Sequence, residues 1–262
     1  MRGETLHRWT AFGLTALVLA YLVAPLFVIV PMALTSGTNL TFPVPGWSLR
    51  WFEVVLTDPR WAAALGNSLL VGAGSTALAV ALATPAAVGL AWGRFPGRGV
   101  LMAVIATPLV LPIVILAVAS FSFQARSGLL GSRFGLILAH AGLAAPVVLT
   151  TVLASLQAFD RGLMRAAASL GAPPLTAFRR VLIPMIAPGV VAGAVIAFII
   201  SFDEVVIATY LTTAEQRTLP RMIFSGVRES ISPAIAAAAV LLVVFSGALL
   251  AGFSLLQRRN QP

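Results

Sequence analysis

Six apolar runs, each long enough to cross a lipid bilayer, constrain this chain more than any other feature. They cover about Thr10–Leu34, Ala64–Trp92, Gly99–Phe123, Phe134–Gln157, Pro184–Leu211 and Ser232–Leu256. At 1.5 Å per residue each reaches across a hydrocarbon core of ~30 Å. Hydrocarbon cannot hydrogen-bond a bare backbone, so spans of this kind are helices. The expectation is an all-α, polytopic membrane protein of six transmembrane helices. Composition agrees: 59% of the 262 residues are hydrophobic and only 10% are charged, against roughly 25% charged in soluble domains. The first run follows Arg2 and Arg8 but is too long for a secretory signal, and no small-residue cleavage site follows it. It is expected to stay as an anchor.

The charges set the orientation. All 17 basic residues are arginine, and the net charge is +9. They cap the apolar runs instead of forming one patch, which argues against a nucleic-acid partner and for the positive-inside rule. With the N-terminus inside, the inner segments hold 10 of the 17 arginines and two carboxylates, Glu4 and Asp160. The outer side then holds the other 7 arginines and six carboxylates. Both termini are therefore expected in the cytoplasm. All five tryptophans fall near run ends or in the first loop, where an indole keeps its N–H wet. The stretch Trp47–Leu65, broken at Asp58-Pro59, reads as an interfacial segment on the outer face.

Among the inner loops, residues 158–183 are long and patterned. Asp160 is placed to cap a helix whose N-terminal dipole favours its charge. Leu163, Ala166, Ala167 and Leu170 then recur at helical spacing. Gly171 suits the position just past a helix end, and Pro173-Pro174 forbid continuation while permitting a second helix to start. An alanine stripe suits close docking of a partner, or equally close packing on the chain's own bundle. The residues leave both open.

Within this loop Arg165-Ala-Ala-Ala-Ser-Leu-Gly-Ala172, with Ile183-Pro184 further on, resembles the "EAA" loop of binding-protein-dependent ABC importers. Gly46-Trp-Ser-Leu-Arg-Trp-Phe, Asn67-Ser68, Ser201-Phe-Asp-Glu-Val-Val-Ile, Thr218-Leu-Pro and Ser232-Pro look like the spermidine/putrescine (PotC-type) permease branch. The resemblance runs over about residues 47–257. It implies the type I ABC importer permease fold in a bacterial inner membrane. It implies a coupling helix, carried by Arg165, Ala166, Ala167, Leu170, Gly171, Ala172 and Phe178, that docks on an ATPase. One position departs from the family pattern: Arg165 stands where the family usually has Glu. The implied partners are a second homologous permease, a cytoplasmic ATPase dimer and an extracytoplasmic solute-binding protein. The implied cargo is a small cation, a polyamine. An opine, an aminophosphonate or ferric ion is the alternative within the same machinery, and an ion-coupled secondary carrier is the alternative outside it.

On this reading the chain divides into an anchor helix with an outer interfacial segment (1–63), a permease core (64–257) containing the coupling loop, and a short inner tail (258–262). Asp203 and Glu204 are the carboxylates that fall inside a run. A charge at helix centre costs on the order of 2.5–3.5 kcal/mol, so such residues usually face water-filled space. They are expected, with Ser201 of the resembling motif, to line the solute path. The alternative is that they mark an early helix end or pair with Arg217 or Arg221. Pro184 with Pro188, and Pro108 with Pro112, predict kinks, and Gly189 with Gly193 predict a close helix crossing. His140, the lone histidine inside a run, receives no role. No phosphate-binding loop is present, and a chain without lysine lacks that loop's lysine. ATP and Mg²⁺ therefore belong to the partner ATPase. No catalytic constellation, metal cluster or cysteine is present, so no enzymatic activity or bound cofactor is expected of this chain.

Overall fold

The computed structural model describes residues 2–229 and 232–259, with side chains over 8–228, 232–248 and 251–252. The last three residues of the expected inner tail, 260–262, lie outside the described residues. Two compact units emerge, Met1–Ala62 with Ile223–Leu249, and Ala63–Met222 with Leu250–Pro262.

In the first unit the leading run forms α1, Arg2–Ala33. Over Arg8–Ala33 its 18 most apolar residues have none of their number buried. Side chains such as Phe12, Leu17, Leu22 and Phe27 point outward on all sides, which only lipid or another membrane chain accommodates. The loop that follows is pinned by a bridge between Thr35 and Trp47. Arg50 Nη1 donates to the Ser36 carbonyl at 3.2 Å, and Trp51 Nε1 to the Gly37 carbonyl at 3.0 Å. Helix α2, Arg50–Thr57, is short and amphipathic, as an interfacial helix should be. Asp58 ends it and starts the next. Its carboxylate takes the Arg60 backbone N–H at 2.8 Å and pairs with the Arg60 guanidinium at 2.7 Å. Those bonds hold the Asp58 carboxyl below its usual range. Pro59 supplies the first helical residue, where its missing N–H costs nothing.

The second run, α3 (Pro59–Trp92), is a single 34-residue helix. The third run is not one straight span. It forms α4 (Arg98–Val110) and α5 (Ile113–Ser127), which diverge by 107° at Leu111-Pro112. Leu111 is forced extended (ψ 142°) by the proline after it, and Pro112 has no N–H to continue the ladder. The legs of 13 and 15 residues are ~20 and ~22 Å long, each shorter than the hydrocarbon core. The expected third span, a single kinked helix over Gly99–Phe123, is thus corrected to two helices broken at Pro112. The fourth run is α6, Arg133–Gln157, whose start is capped by Ser132 Oγ accepting the Gly135 N–H at 2.9 Å.

The loop after α6 contains α7 (Gly162–Ser169) and α8 (Pro174–Ala177). A π turn over Phe178–Leu182 then leads into α9, Ile183–Phe202. Pro184 explains the π turn. It cannot donate to the Arg180 carbonyl, so the ladder slips one residue and Ile183 N–H bonds to Phe178 O. The expected fifth span, Pro184–Leu211, also needs correcting: α9 stops at Phe202 and a separate α10 covers Val206–Leu211. Helix α11 is Leu219–Glu229, and the sixth run forms α12, Pro233–Arg259. At 27 residues α12 is ~40 Å long.

The core of the second unit lies between α3, α6 and α9. Ala79, Ala83 and Ala87 repeat every fourth residue on α3. They meet Ala144, Val148 and Val152 of α6 and Ile186 and Ala197 of α9. A second cluster joins Val71, Ala117, Leu136, Ile207 and Leu211, packing α10 against α5. The alanine row of α3 lets its neighbours approach closely, because between helices in lipid the drive is close van der Waals packing.

Candidate functional site

Two constellations carry the sequence-derived site residues, one at each end of α9. At the start, Asp160 Oδ1 accepts the Gly162 N–H at 2.7 Å, opening α7. At the far end of α7, Ala172 N–H bonds to Ala167 O at 3.0 Å and Gly171 N–H to Ala168 O at 2.9 Å. Gly171 has φ +81°. That is the Schellman closure, which needs a residue tolerant of left-handed backbone. Pro174 then begins α8. The helix, break and second helix expected from the sequence are all present.

The apolar stripe of α7 does not pack onto the bundle. Leu170 is 89% exposed, and Leu163, Arg165 and Ala166 are exposed with it, while Ala167 and Ala172 are half-buried. Met164 and Phe178 face inward against the main core. Phe178 therefore anchors the loop, leaving Arg165, Ala166, Leu170 and Gly171 of the expected set exposed. Arg161 ties the loop to the end of α3. Its Nη2 donates to Ala91 O at 2.7 Å, and its guanidinium stacks 5.5 Å over Trp92, itself 6.0 Å from Phe159.

At the other end of α9 the three path candidates separate. Asp203 is exposed, and its carboxylate has no hydrogen-bond or ion-pair partner among the described residues. Glu204, 5% exposed, accepts the Ile207 N–H at 2.8 Å and the Ala208 N–H at 3.0 Å. These are donors of the first turn of α10, which no intrahelical carbonyl can satisfy. Ser201 is buried, with its Oγ 2.8 Å from Ser75 Oγ of α3 and 2.8 Å from His140 Nδ1 of α6. His140 Nε2 lies 3.5 Å from Glu204 Oε2. Hydrogen bonds thus join Ser75, Ser201 and His140 across α3, α9 and α6, and His140 Nε2, which makes no hydrogen bond among the described residues, faces Glu204 at the α9–α10 break. Sequence reasoning missed Ser75 and His140, because nothing in their spacing announces that they meet.

The break is held from outside as well. Asn67 Nδ2 donates to Glu215 O and Arg217 O, both at 3.1 Å, and its Oδ1 accepts from Arg133 Nε at 3.2 Å. Ser68 Oγ accepts the Leu219 N–H at 2.7 Å. Arg221 donates to Thr212 O at 2.8 Å and Thr213 O at 2.9 Å, closing the end of α10. A recess of about 250 Å³ lies beside this region, lined by Pro108, Leu116, Phe123, Leu138 and Ile207 with Ser120 and Gln124 as its polar groups. Pro184 and Pro188 sit in the first turns of α9. Gly189 and Gly193 face α6 directly, at Ser155, Thr151 and Val148.

Residues 79–262 match the family described as binding-protein-dependent transport system inner membrane component. The chain is 34% identical over 230 residues to the putrescine transport system permease protein PotI of Escherichia coli (strain K12), covering 85% of this chain and 82% of PotI. It is 28% identical over 243 residues to the spermidine/putrescine transport system permease protein PotC of Haemophilus influenzae, covering 93% and 94%. Its fold matches a crystal structure of a bacterial ABC transporter involved in alginate import, with TM-score 0.76, 18% identity and coverage of 100% and 99%. The chain belongs to the family of binding-protein-dependent transport system inner membrane components. It is a multi-pass permease subunit of an ABC importer.

Proposed function

We propose that this permease moves a small cationic solute, a polyamine such as putrescine or spermidine, and that both its termini lie in the cytoplasm. The observation that carries the reading is the division of labour at the α9–α10 break. Glu204 is consumed in capping, while Asp203 beside it stays exposed and unpartnered. An unpaired carboxylate at the end of a membrane helix attracts cations, and its apolar surroundings raise the strength of that attraction. Likeness to permeases named for putrescine and spermidine supports the same cargo.

The machine needs partners: a second homologous permease, a cytoplasmic ATPase dimer that binds ATP and Mg²⁺, and an extracytoplasmic solute-binding protein. The exposed face of α7 is the surface the ATPase would hold. Motion of α7 reaches the solute end through a continuous path, since α8, the π turn and α9 form one helical rod from Pro174 to Phe202. The 20 residues of α9 carry that motion ~30 Å to the break where Asp203 stands. Residues 158–183 are thus the coupling element.

The test is reconstitution of the full complex in proteoliposomes with its binding protein. Putrescine or spermidine should raise the ATPase rate and enter the vesicles. Stimulation by a neutral sugar and none by either polyamine would remove the cargo assignment.

A further inference from the structure

We propose that the partner surface receiving α7 is an acidic groove, with a carboxylate opposite Arg165. This rests on the reading that an ATPase engages α7, and goes further by fixing the sign of the charge it must present. On this side of the second unit, residues 93–98 and 158–183 hold six arginines, namely Arg94, Arg98, Arg161, Arg165, Arg179 and Arg180, against one carboxylate, Asp160. That carboxylate is already committed to the Gly162 N–H. Arg161 is committed to Ala91 and Trp92. Arg165, Arg179 and Arg180 are exposed, and their guanidinium groups have no partner among the described residues.

Charge alone would suit anionic lipid headgroups equally, so the pattern on α7 decides. A helix lying in the headgroup layer separates an apolar face from a basic one. On α7 the inward face holds Met164 and half-buried Ala167, and the exposed apolar flank is narrow, only Leu163, Ala166 and Leu170, with Arg165 and Ser169 on the opposite flank. Leu170 is 89% and Leu175 60% exposed, too isolated among polar and small residues to insert into acyl chains. Two exposed leucines on one flank and an arginine on the other, with alanine and glycine allowing close approach, match the anatomy of a protein interface: apolar anchors within a charged surround. A groove of like charge would be repelled by three unneutralised guanidinium groups, and a purely apolar groove would strand Arg165 without a counter-charge. The fitting occupant is a protein groove lined by Asp or Glu.

The experiment measures binding of the ATPase subunit to the permease complex held in nanodiscs. Arg165→Glu is expected to weaken binding about tenfold or more. Arg165→Lys should weaken it less, and reversing one groove carboxylate of the ATPase to Lys should restore the Arg165→Glu complex. Wild-type binding should also fall as salt rises from roughly 0.05 to 0.5 M. Arg165→Gln serves as a second variant, and an unchanged size-exclusion profile confirms that each variant folds. Unchanged binding by Arg165→Glu and by Arg179→Glu/Arg180→Glu would overturn the acidic groove while leaving the ATPase as partner. Loss of the effect in nanodiscs without anionic lipid would overturn it in favour of headgroups. Failure of the wild-type permease to bind the ATPase at all would instead remove the reading beneath it.

Discussion

The crossing of α6 and α9 offers the sharpest test of how this core is built. A Cβ added to Gly189 would lie 2.8 Å from Ser155 Cβ and 3.1 Å from the Thr151 carbonyl oxygen, and closer still to Ser155 Oγ. The hydroxyl can rotate away, but the other two atoms belong to the helix and cannot. At Gly193 the added atom would meet Thr151 Oγ1 and lie 3.2 Å from Val148 Cα. Carbon pairs rest at about 3.5–4.0 Å, so Gly189→Ala must push the helices apart by about 0.7–1.2 Å or strain them. Overpacking of this kind costs about 1–3 kcal/mol, of which alanine's better helix propensity returns at most about 1 kcal/mol. The expected net loss is about 0–2 kcal/mol, and roughly double for Gly189→Ala/Gly193→Ala. Thermal unfolding of the detergent-purified protein should show it, at about 2–4 °C per kcal/mol. Ser155→Gly removes the opposing Cβ and should rescue Gly189→Ala, although alone it costs about 0.5–1 kcal/mol. Gly66→Ala, where an added Cβ meets nothing within 4 Å, is the control and should not lower the midpoint. A Gly189→Ala/Gly193→Ala protein that melts at or above wild type would refute the close-crossing argument, as would a failure of Ser155→Gly to restore stability.

Four further outcomes follow from the two ends of α9. Glu204→Ala strands two buried N–H groups at about 1–3 kcal/mol each, so its unfolding midpoint should fall well below that of Asp203→Asn. Asp203→Asn should keep wild-type stability and lose apparent affinity for a dication, read as the solute concentration giving half-maximal uptake; the opposite pattern would reverse the roles assigned to the two carboxylates. Ser201→Ala removes the oxygen shared by Ser75 and His140, a loss of about 0.6 kcal/mol per bond on the scale measured in membranes, while Ser201→Thr keeps the hydroxyl and tests whether the bonds or the volume matter. Gly171→Ala forces a side chain into left-handed backbone at about 1–2 kcal/mol; solute-stimulated ATPase activity should drop while the protein still folds, and undiminished coupling would show that the α7 closure is dispensable.

Much of this protein is written in one dimension because lipid is a severe solvent. Apolar length located the helical regions, since a membrane chain must satisfy its backbone within each segment, but among the described residues four helices, or five counting the bent α4–α5 pair, are long and apolar enough to span. Local chemistry was equally readable. Asp160, Gly171 and Pro174 specify a helix, its closure and a restart through interactions spanning five residues or fewer. The Gly189–Gly193 spacing likewise announced a close crossing on one helix face. What the chain could not disclose was whatever depends on residues far apart in sequence. Pro112 signals a kink, but whether it bends the third run slightly or by 107° depends on what α5 packs against, here α10. The same limit hid the different fates of two adjacent carboxylates. Glu204 turns inward because His140, 64 positions earlier, and the donors of α10 meet it there, and Asp203 is left outside because the backbone can present only one of the pair to that pocket. Sequence sets which segments are apolar enough for the membrane and where a locally capped helix such as α7 starts and stops; where the third and fifth runs break, and which side chains then meet, is decided by packing, because contacts between distant segments exist only after the helices have docked.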